Sequence, residues 1–69
     1  MFILEIIGAG ARLVSRVDLF GYSLDRAAIA ADRRMQDDPS IQEIVIYEQK
    51  QLAAWYTRKD GAIEKYVLR

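Results

Sequence analysis

Short runs in which apolar residues recur at every second position dominate this sequence, and they constrain it more than any other feature. Segments at 2–7, 13–20, 44–47, 52–56 and 63–68 alternate with a period of two, the signature of strands with two distinct faces. They are separated by turn-forming residues at Gly8 and Gly10, Gly21, Asp37-Asp38-Pro39, and Asp60-Gly61. One segment reads differently. Leu24, Ala27, Ala28, Ala31 and Met35 recur at helical spacing, behind Ser23 as N-cap and with Asp25 in the first turn, where the helix dipole favours a carboxylate. Pro39 restricts Asp38 away from helix, so the spacing predicts an end near Gln36. Ile29 falls off this stripe.

The expectation is therefore an α+β fold with a single helix packed on one face of an antiparallel or mixed sheet, in the order β-β-α-β-β-β. With 69 residues it forms one domain, spanning 1–69. A core this small leaves a stability margin of only a few kcal/mol. Cysteine and histidine are absent. Disulfides, thiolate metal sites and the commonest acid–base group near neutral pH are thereby removed. No metal site and no cofactor are expected.

Turn positions set the pairing. A two-residue turn at Ala9-Gly10 places Ile6 opposite Leu13, Leu4 opposite Ser15 and Phe2 opposite Val17. A turn at Gln49-Lys50 places Ile46 opposite Ala53 and Ile44 opposite Trp55. Asp60-Gly61 is a strong type I′ signal and sets Trp55 opposite Tyr66 and Ala53 opposite Leu68. These residues form one apolar side, expected beneath the helix. A one-residue slip would reverse it. Strand order stays open, because the first hairpin fits either edge of the later meander.

The opposite side then carries Ile3, Ile7, Val14, Phe20, Val45, Tyr47, Leu52, Ala54, Tyr56, Ile63 and Val67. Glu5, Arg12, Arg16, Asp18, Glu43, Arg58 and Lys65 are mixed among them. A solvated sheet face is usually more polar, and contiguous exposed apolar surface marks interaction sites. The leading expectation is a small non-enzymatic interaction module that self-associates or binds a protein partner through this face. Its contacts would be Val45, Tyr47, Leu52, Tyr56 and Val67.

Two further readings use the same surface. Tyr47 and Tyr56 beside Arg58 and Lys65 would form a basic, aromatic platform of the kind single-stranded nucleic acids stack on. A zero net charge and Glu43 beside Tyr56 rank it second. The other reading is a small inhibitor or mimic protein that caps a larger target. Charge is uneven along the chain: residues 1–49 sum to −3, while 50–69, with Lys50, Arg58, Lys59, Lys65 and Arg69, sum to +3.

Other candidate chemistry is weak. Ile6-Ile7-Gly8-Ala9-Gly10 matches the opening of a dinucleotide-binding turn, but Leu13 stands where the third glycine would fall, so a hairpin turn explains it better. Asp37 and Asp38 suit a helix exit, and Asp25 and Asp32 a solvated face. Ser15, Ser23 and Ser40 have no histidine to activate them. The opening Phe2–Ile7 run lacks a preceding basic residue and is interrupted by Glu5, unlike a secretion signal. No stretch approaches the ~20 apolar residues of a membrane helix. A cytoplasmic protein without membrane association is expected.

Overall fold

The computed structural model describes residues 1–68; Arg69, counted above in the basic segment, lies outside them. Five strands, β1 (Phe2–Gly8), β2 (Arg12–Leu19), β3 (Ile41–Glu48), β4 (Gln51–Lys59) and β5 (Ala62–Val67), and one helix, α1 (Leu24–Asp37), follow one another in the expected order. The sheet is wholly antiparallel, with strand order β2-β1-β3-β4-β5. The first strand of the first hairpin, β1, is therefore interior and pairs with the central β3, and the open question of strand order resolves with β2 at one edge and β5 at the other.

The helix forms where its signals predict. Ser23 Oγ accepts from the Arg26 backbone N–H at 3.2 Å, and Ala27, Ala31 and Met35 are fully buried. Small alanines let the helix lie close to the sheet. Ile29, off the stripe, is 53% exposed. The helix runs through Asp37, and the Asp38 N–H bonds the Arg34 carbonyl at 3.1 Å. Asp38 then turns the chain, its Oδ1 accepting from the Ser40 N–H and hydroxyl at 3.0 and 2.6 Å.

Beneath the helix the core is Phe2, Leu4 and Ile6 on β1, Leu19 on β2, Ile41, Ile44 and Ile46 on β3, and Ala53, Ala54 and Tyr56 on β4. The helix-facing parity of β1 and β3 is as the alternation predicts. Two hairpins depart from the expected pairing, the first through two extra residues and the second through one.

In the first, Gly8 pairs with Arg12, leaving a three-residue turn in which Gly10 and Ala11 have φ of 73° and 60°. The register then shifts between Ile6 and Ile7, so that Ile6 faces Ser15, Leu4 faces Val17 and Phe2 faces Leu19. One residue comes from the turn and one from the bulge at Val14. Their sum is even, so Val17 stays on the helix side. Leu13, expected in the core, lies opposite Ile7 and is 56% exposed.

In the second, Gln49-Lys50 is the turn, as expected, and Tyr47 pairs with Leu52. Between Tyr47 and Ile46 the register shifts by one, so Ile46 faces Ala54, Val45 faces Trp55 and Ile44 faces Tyr56. Ala53 is the extra residue. A single bulge reverses the faces of everything after it on this strand. The last hairpin keeps its expected register, Trp55 opposite Tyr66, about a turn in which Asp60 and Gly61 both have positive φ.

Candidate interaction face

Crossing the sheet on the side away from α1, one row runs Arg16, Glu5, Val45, Trp55, Tyr66. A second runs Asp18, Ile3, Tyr47, Leu52. A third runs Leu13, Ile7, Glu43, Thr57, Glu64. At its centre Glu43, Val45, Tyr47, Leu52 and Trp55 line a shallow concavity of about 310 Å³. Trp55 and Tyr66 stack with ring centroids 4.9 Å apart and planes 19° from parallel, an offset pairing aromatic quadrupoles favour.

Of the five contact residues read from the sequence, the structure puts Val45, Tyr47 and Leu52 together on this face. Tyr56 and Val67 go elsewhere. Tyr56 is 2% exposed, and its hydroxyl donates to the Ala28 carbonyl of the helix at 3.0 Å. Burial, with the Asp32 charge adding to it, pushes its phenol pKa up. Val67 lies opposite Ala54 on the helix side and is 45% exposed at the β5 edge. Both were misplaced by the Ala53 bulge. Their places on the open face are taken by Trp55 and Tyr66, which alternation alone had assigned to the core. No local signal marks the change, because Ala53 and Ala54 fit either face.

The same reversal disperses the basic, aromatic platform. Lys65 is opposite Tyr56, and Ile63 opposite Arg58, on the helix side. Arg58 closes the helix end: its Nη2 donates to the Met35 carbonyl at 2.5 Å, and its Nε to the Ile41 carbonyl at 3.1 Å. Carbonyls of a last helical turn are unpaired within the helix, and a guanidinium suits their partial negative charge. Tyr47 stays on the open face, between Val45, Leu52 and Trp55 on one side and Ile3, Glu5, Arg16 and Lys50 on the other.

Carboxylates border the open face. Asp18, Glu5, Glu43 and Glu64 lie there, against Arg16 and Lys50 beside Tyr47 and, at the far corner, Lys59. Glu43 accepts from the Thr57 hydroxyl at 3.5 Å and Glu64 from the Tyr66 hydroxyl at 2.5 Å. The Tyr66 phenol pKa is raised by that bond and by the Glu64 charge.

Among the described residues no group of His, Cys, Asp and Glu could hold a metal ion, and no helix is long and apolar enough to cross a membrane. The fold and this face define a small α+β protein with one covered and one uncovered side of its sheet. Neither protein-family models, curated proteins nor solved structures give a match to the chain.

Proposed function

We propose that the chain is a small, non-enzymatic interaction module whose open sheet face is covered by another protein surface. The Trp55–Tyr66 stack carries this reading. Two large rings, Trp55 partly exposed and Tyr66 exposed on the edge strand, stack on the open side beside Val45, Tyr47 and Leu52 rather than under the helix. Aromatic anchors surrounded by apolar side chains are what protein interfaces concentrate their binding energy in. The border carries both signs, Glu43 and Glu64 toward β5 and Arg16 and Lys50 beside Tyr47, so charge would set encounter rate and orientation with a complementary partner.

The test compares the wild-type chain with Leu52→Lys and Tyr66→Lys, both at exposed positions. Each is used to capture protein from a lysate of the source cells, and the captured contacts are mapped by cross-linking. A partner held by wild type, lost by both variants and cross-linked around Tyr47 and Trp55 supports the reading. Partners retained equally by the variants, or cross-links confined to the helix, would overturn it.

A further inference from the structure

Beyond the open face, we propose that two copies of the chain join through β2, edge to edge, about a two-fold axis at Val17, forming one continuous ten-stranded antiparallel sheet. β2 is the outer strand of the sheet, and α1 packs chiefly on β3, β1 and β4. Its outward backbone groups are thus available to another strand, the ordinary liability of an edge. Along and just after it stand three of the most exposed apolar side chains of the molecule: Leu13 at 56%, Val14 at 64% and Phe20 at 73%.

Charge selects the occupant. Arg16 and Asp18 flank Val17 and share the open face, opposite Glu5 and Ile3 of β1. Antiparallel pairing about Val17 sets Arg16 of each copy directly opposite Asp18 of the other, twice by symmetry. Opposite charges directly across a ladder stabilise it, and like charges destabilise it. A two-residue slip one way sets Arg16 against Arg16, and the other way Asp18 against Asp18. One register is therefore favoured and its neighbours are penalised. On the helix side the same register brings the two partly buried Val17 side chains together, and Phe20 of each copy reaches the Val14 end of the other.

The opposite edge offers no such match. Glu64 and Lys65 of β5 project to opposite faces, because Glu64 pairs with Thr57 and Lys65 with Tyr56. In no two-fold register do they face one another. Self-complementarity belongs to β2.

The experiment is sedimentation velocity on the full chain at micromolar to hundred-micromolar concentration. Wild type is expected near twice 7.9 kDa. Arg16→Asp and Asp18→Arg are each expected at the monomer mass, with circular dichroism confirming that they fold. The double variant, Arg16→Asp with Asp18→Arg, restores opposite charges and the dimer. A monomeric wild type overturns the proposal, as does a dimer that survives both single changes or a double variant that stays monomeric. Should the single variants not fold, hydrogen exchange on the unmodified chain decides. Protection at residues 12–19 that rises with concentration supports β2 pairing, and concentration-dependent protection confined to other strands overturns it. Leu52→Lys separates the two surfaces: a dimer lost by that change and unaffected by the charge swaps assigns self-association to the open face instead.

Discussion

The Tyr56 hydroxyl donates to the backbone carbonyl of Ala28, 3.0 Å away on the helix above it. This bond satisfies the one polar atom of a ring that is otherwise buried, and it fixes which side of β4 faces the helix. Replacing Tyr56 with Phe keeps the ring and is expected to cost about 0.5–1.5 kcal/mol, the net value of an ordinary hydrogen bond. Tyr56→Glu places a charge under the helix and should unfold a domain with so small a margin. Urea denaturation of the two variants checks both; a stable, folded Tyr56→Glu would contradict the placement.

Alkaline pH should act on the same residue. Its raised phenol pKa means that the folded state holds the proton more tightly than the unfolded chain. The corresponding stability is complete below the unfolded value near 10 and is lost as pH rises through the higher folded value. Thermal melts across that range should show a steeper alkaline loss for wild type than for Tyr56→Phe. Equal slopes would deny the effect.

At acid pH the sign reverses for Asp38. The hydrogen bonds from the Ser40 hydroxyl and N–H, the largest causes, depress its carboxyl pKa, and Arg58 contributes. That contribution is present above the unfolded carboxylate value and disappears as pH falls through the lower folded one. Ser40→Ala should bring the Asp38 pKa, followed by NMR titration, back toward its usual value. An unchanged titration would show that the turn does not depend on this hydroxyl.

Arg58 is expected to be a stability residue. Arg58→Lys preserves charge but loses the planar fork that reaches the Met35 and Ile41 carbonyls together. A loss of about 1–2 kcal/mol is expected, in the range for bonds to a charged donor with partial exposure. Amide exchange in residues 34–41 should quicken with it. A neutral outcome would mean that water caps the helix equally well.

Trp55 gives a direct optical check on the sheet. As the sole tryptophan, partly exposed and stacked on Tyr66, it should be quenched by acrylamide in the free, folded chain. Tyr66→Ala should raise that accessibility and cost about 0.5–1.5 kcal/mol for the stack, beyond the area lost. Emission shielded from quencher in a folded monomer would return Trp55 to the core.

Much of this architecture was written in local chemistry. Ser23 and the alanine stripe placed the helix, Asp60-Gly61 placed the last hairpin and its register, and the alternation of Phe2, Leu4, Ile6, Ile44 and Ile46 placed the core of β1 and β3. Each of these signals acts over a few residues, through backbone conformation or a period of two, and so survives in a linear reading. The place of Tyr56 and Trp55 did not. Ala53 and Ala54 are both buried and fit either parity, so nothing local distinguishes a straight ladder from a bulged one. Only the assembled molecule makes that choice, because a tyrosine hydroxyl finds a helix carbonyl and Arg58 finds the helix end when β4 gains one residue. Those partners lie 28 and 23 positions away along the chain, and three-dimensional packing alone brings them within reach.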